Sequence, residues 1–256
     1  MESALARRLA AEAIGTALLV LVGTGSVVAA LTVGKGSLSY AGLGFISLAF
    51  GFVVAIAVYG FGPVSGAHIN PAITVALAAT RRFPWGEVLP YLAAQVVGAL
   101  AGSLLVVGVF GTNGVDLGLG ATALGDGVSY WQGLVAEFVG TFLLMFTVMA
   151  LAVDSRAPLG WAGWMIGLAV AAAIMLIGPQ TGGSINPART TGPDIVLALW
   201  GGSVAWSQLP LYWIAPLLGS AAAVLLYDLV AEPRTAEQPA VEETYEPTHA
   251  TERKPS

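Results

Sequence analysis

Two asparagines stand out in a chain that offers little else to do chemistry with. Asn70 lies in GPVSGAHINPAIT (62–74), and Asn186 lies in GPQTGGSINPART (178–190). The two segments share Gly, Pro, Gly, Ile, Asn, Pro, Ala and Thr at matching positions, 116 residues apart. Asn is among the best helix N-caps, and Pro is favoured at the first helical position. Each Asn can therefore cap a helix with its side-chain oxygen and still turn amide hydrogens toward a solute. That chemistry recognises a small polar molecule by hydrogen bonding; it makes and breaks no bonds.

The groups needed for covalent or metal chemistry are scarce. Cysteine is absent, which removes thiolate catalysis and disulfides. There are two histidines, His68 and His249, and no cluster of acids, so neither an enzyme nor a metal centre is expected, and no cofactor. His249 reads as a solvated residue of the C-terminal tail. Lys and Arg are few and scattered, which gives no nucleic-acid signal. Glu12 and Glu137 fall inside apolar stretches, where an acid is a functional hypothesis by default. Each precedes a threonine by four residues, Thr16 or Thr141. Their matched placement suggests that each accepts hydrogen bonds from the backbone of one of the Asn-Pro segments, in preference to a proton relay.

The elements that must position these groups are legible from hydropathy. The chain has 256 residues, 56% of them hydrophobic and 10% charged, with mean hydropathy +0.80. Soluble domains carry about 25% charged residues, so the lipid bilayer is the expected surroundings. Six stretches are long and apolar enough to span it: 9–33, 40–60, 86–109, 131–153, 160–178 and 208–230. The first is too long for a signal-peptide core. Residues 232–256 hold nine of the 25 charges and four prolines, a composition that predicts a disordered cytoplasmic tail beyond a membrane-spanning bundle domain at 1–231. Arg7, Arg8, Arg81, Arg82, Arg156, Arg234, Arg253 and Lys254 fall on the side of the termini, and Lys35 and Arg189 on the other. The basic bias places both termini in the cytoplasm of a multi-pass protein of the cell membrane.

AEAIGTALL (11–19) also matches AEFVGTFLL (136–144). Each half holds three spans, so the second half is inverted relative to the first. NPAITVALAAT reads as a helix from Asn70 to about Thr80, about 15 Å long and half a bilayer core. The second copy starts at Asn186, with Gly192-Pro193 expected to end or distort it. GPVSGAH and GPQTGGS read as neither helix nor strand. Such backbone survives at membrane depth only in protein or beside a water-filled cavity. The predicted fold is all-α: six transmembrane helices plus two re-entrant half-helices, meeting N-terminus to N-terminus at the midplane. Gly98/Gly102 and Gly163/Gly167 are spaced for close helix crossings.

The paired boxes Asn70-Pro71-Ala72 and Asn186-Pro187-Ala188, with Arg189 after the second, resemble the major intrinsic protein family of aquaporins and glycerol facilitators. The resemblance covers about residues 8–230. It implies a homotetramer with one pore per subunit and single-file water. Asn70 and Asn186 would donate to the central molecule, and Gly66, Ala67, His68, Ile69, Gly182, Gly183, Ser184 and Ile185 would line the pore on either side. For His68 a satisfied packing role stands equally open. It also implies an outer ring of Phe50, Ile174, Gly183 and Arg189. That set matches neither the Phe, His, small residue, Arg of water-selective members nor the Trp, Gly, Phe, Arg of glycerol facilitators; an Ile where Ile174 stands is similar to some archaeal members. Ile174 removes a polar nitrogen and Gly183 adds width. Thr190, where glycerol facilitators tend to have Asp, and Tyr212-Trp213 point to the water type. The expected function is a passive channel for water, with glycerol, urea and dissolved gases as further candidate solutes, excluding ions and protons. The alternatives are a glycerol-type facilitator and, further off, a secondary transporter. Coupled carriers use midplane acids, and Asp194 alone lies in the re-entrant segments, at a far end.

Overall fold

A computed structural model describes residues 2–231. The expected tail at 232–256 lies outside the described residues. Six long helices form the frame: α1 (Glu2–Val33), α2 (Tyr40–Ser65), α4 (Trp85–Phe110), α6 (Tyr130–Val148), α7 (Ala162–Thr181) and α9 (Leu209–Ala231). Two short ones, α3 (Pro71–Ala79) and α8 (Pro187–Leu199), lie between α2 and α4 and between α7 and α9. A single turn, α5 (Thr112–Asp116), sits in the loop after α4. Each long helix, α6 with the five-residue π turn Met149–Val153 and α9 with the turn before it, is apolar and long enough to cross a bilayer. Phe45, Ile56, Leu89, Trp131 and Leu225 are exposed around the outside. So large an apolar surface suits lipid and would be a liability in water.

The two halves pack as images of one another. α1 lies against α4 and α6 against α9, and α2 crosses α7 at the junction of the halves. The crossings are close because small residues meet backbone there. A Cβ on Gly98 would stand 2.1 Å from the Ala13 carbonyl oxygen, and one on Gly167 would stand 2.3 Å from that of Gly51. Gly163 instead lies under the Tyr59 ring, where a Cβ would be 2.8 Å from a ring carbon.

One face collects the ends of the described chain and most of its bonded charges. Arg8 pairs with Glu87 at 2.6 Å. Arg82 grips Asp228 through two bonds of 2.9 and 2.7 Å. Arg156 binds Asp154 and donates to the Ala231 carbonyl. These contacts gather α1, the α3–α4 loop, α4, α9 and the α6–α7 loop on one face, the terminus face.

α1 begins at Glu2, ahead of the expected residue 9, and three further boundaries differ from the sequence expectation. α2 runs on to Ser65 and α7 to Thr181, through Gly62-Pro63 and Gly178-Pro179. The last turn is held from outside the helix: the Ser65 hydroxyl donates to Glu12 and that of Thr181 to Glu137. Non-helical backbone therefore starts at Gly66 and Gly182, whose φ values of 87° and 76° end the helices. Gly192-Pro193 does not stop α8, which continues to Leu199. α8 packs on α4 so closely that a Cβ on Gly192 would lie 2.6 Å from the Ala99 side chain, and that packing outweighs the missing amide of Pro193.

Candidate functional site

The site is built where α3 and α8 meet. Asn70 caps α3, accepting from the Ala72 amide at 2.9 Å. Asn186 caps α8, accepting from Ala188 and Arg189 at 3.0 and 3.3 Å. Pro71 and Pro187 take the first helical positions. Each side-chain NH₂ reaches across the two-fold. Asn70 Nδ2 donates to the Ile185 carbonyl and Asn186 Nδ2 to the Ile69 carbonyl, both at 2.8 Å. One amide hydrogen of each Asn goes into this cross-link, and the other remains for the cavity that both residues line. The carbonyls of Ile69 and Ile185 thus take part in the junction itself, a use of them not foreseen in the sequence.

The loops before the caps carry strain. Ala67, Ile69 and Ile185 have φ of 47°, 42° and 47°. Such a conformation costs on the order of 1–3 kcal/mol and persists only where surroundings over-determine it. The two buried glutamates do that. Glu12 accepts from the amides of His68 (2.9 Å) and Ile69 (2.6 Å), from Ser65 Oγ and from Gln95 Nε2. Glu137 accepts from the amides of Ser184 (2.9 Å) and Ile185 (2.6 Å) and from Thr181 Oγ1. Gln95, which also donates to Thr74, was not singled out in the sequence. Its signal would have been a lone amide in an apolar span.

A cavity of about 210 Å³ runs past both asparagines. Gly66, Ala67, His68, Ile69, Ser184 and Ile185 line it, as do Phe50, Ile174 and Arg189. Gly182 and Gly183 are not among its lining residues. Gly182 is exposed, and a Cβ on it would point at Thr122. Gly183 is buried against Ile174, with 3.2 Å from an added Cβ to Cγ1. His68 both lines the cavity and packs, meeting the Phe83 ring edge-on at 4.9 Å with Nδ1 3.1 Å from Thr74 Oγ1. Among the described residues no Asp or Glu lines the cavity. Asp194 is buried in α8 away from it.

Arg189 is 2% exposed, yet it forms no salt bridge among the described residues. Its guanidinium lies 5.1 Å from the Phe50 ring centroid and donates to the Gly120 carbonyl at 2.8 Å. Its Nε has no hydrogen-bond partner among the described residues. Gly120 is a residue the sequence gave no reason to choose: it belongs to a turn with φ of 51° at Leu119 and 67° at Gly120. Thr190 bonds Ser184 and Thr122 (2.6 and 2.8 Å). Tyr212 donates to the Thr181 carbonyl, and Trp213 to Thr191. The arrangement provides two free amide hydrogens, two helix N-termini aimed at them, and one buried cation without a salt bridge among the described residues beside the cavity.

The chain is similar in sequence and in fold to known proteins. A family model described as Major intrinsic protein matches residues 1–227. The chain is 45% identical over 237 residues to the aquaporin AqpM of Methanothermobacter marburgensis, covering 87% of this chain and 96% of that one. It is 40% identical over 236 residues to aquaporin Z of Bradyrhizobium diazoefficiens, covering 90% and 95%. Among solved structures, the aquaglyceroporin from Plasmodium falciparum superposes with a TM-score of 0.80 at 22% identity, over 89% of this chain and 97% of that one, a likeness of fold.

Proposed function

The chain belongs to the major intrinsic protein family, and we propose that it is a passive transmembrane channel for water, open also to small neutral solutes, and not an enzyme. The observation that carries this reading is the crossed pair Asn70–Ile185 and Asn186–Ile69 inside a cavity with no acid among the described residues of its wall. A water that accepts the two remaining amide hydrogens keeps both of its own hydrogens pointing outward along the file. Neither neighbour can donate to it, so a proton relay breaks there. The two helix N-termini and Arg189 add a positive field that repels cations. The aquaporin names of the 45% and 40% identical relatives support water as the main solute over a glycerol-type role.

The finer roles belong to the same proposal. Phe50, Ile174, Gly183 and Arg189 form the outer ring, with Gly183 acting from behind Ile174. Glu12 and Glu137 brace the loops. A coupled carrier is disfavoured because both mid-membrane glutamates are engaged by backbone amides. The basic residues of the terminus face support a cytoplasmic location for it, and family membership supports a homotetramer in the cell membrane.

The test is purified protein in proteoliposomes, with osmotic shrinkage and a trapped pH dye followed together. Water permeability should rise above that of empty vesicles while proton flux stays at their level. Absence of a rise in water permeability, or a proton flux that scales with protein content, would overturn the reading.

A further inference from the structure

Gly23 lies inside α1, where glycine is unfavourable relative to alanine, so the missing side chain needs a cause. An added Cβ would stand 2.1 Å from Phe50 Cε1 and 2.5 Å from both Cδ1 and Cζ. Equal distances to the two flanking carbons, only slightly longer than that to Cε1, place it over the face of the ring. The Phe50 ring therefore lies flat on the bare backbone of α1. Leu19, one turn earlier on α1, lines the cavity, as does Phe50 itself. At Gly23 the wall of the cavity is thus supplied by the ring instead of by α1.

The inverted repeat offers an internal control. Glu12, Leu19 and Gly23 correspond to Glu137, Leu144 and Val148, each 125 residues on. Phe50 corresponds to Ile166, 116 residues on. Val148 and Ile166 both line the cavity. One half pairs no side chain with a large ring, and the other pairs two β-branched aliphatics. Space denied to one member of the pair has been given to the other.

We propose that Gly23 is a positioning residue that holds the Phe50 ring back against α1, and so sets the size limit of the opening between Phe50, Ile174 and Arg189. This rests on the channel reading and on the ring assignment made above. A methyl group at residue 23 pushes the ring along its own normal, away from α1. The room on that side is the cavity, so the opening shrinks by about a methylene's thickness. Solutes larger than water should then be rejected, and a misfit of that size discriminates by about tenfold or more.

The experiment compares glycerol, urea and water permeability of wild type, Gly23→Ala, Gly25→Ala and Gly23→Ala/Phe50→Leu in matched proteoliposomes. Gly25 is the control on the same helix, since its added Cβ would meet Phe110 and Val106 at 3.6 and 3.8 Å, ordinary contact distances. Gly23→Ala should lower the solute-to-water ratio about tenfold, Gly25→Ala should leave it unchanged, and removing the ring should restore it. If wild type passes neither solute, the drop must appear in water permeability itself, in Gly23→Ala and not in Gly25→Ala. If Gly23→Ala alone does not fold, the double variant is read against Phe50→Leu. Equal ratios support the proposal, and unequal ones overturn it. Folded Gly23→Ala with wild-type permeabilities overturns the Gly23 role alone, whereas absence of water flux in wild type and Gly25→Ala overturns the channel reading beneath it.

Discussion

The two ends of the cavity are related by the repeat but are lined differently. Phe50, Ile174, Gly183 and Arg189 have Ile166, Val58, Ala67 and Ile73 as images, each pair 116 residues apart. All four images line the same cavity. The Arg189 end has a cation and a ring; the corresponding four positions at the terminus-face end are aliphatic, with the His68 ring beside them. The braces behind them remain alike, with Glu12 and Glu137 each taking two loop amides. The difference separates two requirements. Holding a non-helical loop at membrane depth demands the same hydrogen bonds in both halves, whereas choosing a solute needs to happen at only one end of a single file.

The largest effect should come from attacking what the halves share. Glu12→Leu or Glu137→Leu leaves two loop amides without acceptors and the Ser65 or Thr181 hydroxyl with only a long bond to its own helix. Each unsatisfied group costs about 1–3 kcal/mol, against a total stability on the order of 5–15 kcal/mol. Neither variant should be recovered as a monodisperse protein on a sizing column. Recovery of one but not the other would show that the braces are not equivalent.

A smaller effect should follow from changing one end only. Ile174→His puts a polar nitrogen on the wall near Arg189 and narrows it. The glycerol or urea permeability should fall about tenfold, and water permeability by much less. An unchanged ratio would remove Ile174 from the ring.

The sequence made the shared parts readable and the divergent parts hard to see. Asn70 and Asn186 announce themselves because capping chemistry and proline at the first position are local. The spans follow from apolar length alone. Helix ends at Ser65 and Thr181 were not readable, because Gly62-Pro63 and Gly178-Pro179 look like breakers, and the bonds that hold the last turn come from Glu12 and Glu137 in other helices. The anchoring of Arg189 by the Gly120 carbonyl was invisible for a different reason: a backbone oxygen carries no residue signature. Val58, Ala67, Ile73 and Ile166 could have been found by carrying the ring through the repeat, since the offset was already in hand.

The smallest effect concerns the terminus face. Hydrogen bonds from the Arg156 guanidinium and amide, and from the Tyr227 hydroxyl, hold the Asp154 carboxyl well below the usual carboxylate range. A lowered folded value means the stabilisation is complete above the unfolded value of about 3.9 and fades as pH falls toward the folded one. Thermal unfolding of wild type and Arg156→Ala should therefore differ by a constant amount from about pH 8 to about pH 5, and converge only below about pH 4. A difference that changes between pH 8 and pH 5 would assign the titration to another group.

The claim that selection sits at the Arg189 end is tested most directly by trimming a residue and its image. Ile174→Ala and Val58→Ala remove comparable aliphatic bulk from corresponding walls of one cavity. The measurement is the glycerol-to-water permeability ratio of each in matched proteoliposomes, normalised to channel number. The ratio should rise severalfold for Ile174→Ala, by the order of a methylene-sized misfit, and stay at the wild-type value for Val58→Ala. An equal rise in both, or a rise for Val58→Ala alone, would contradict it.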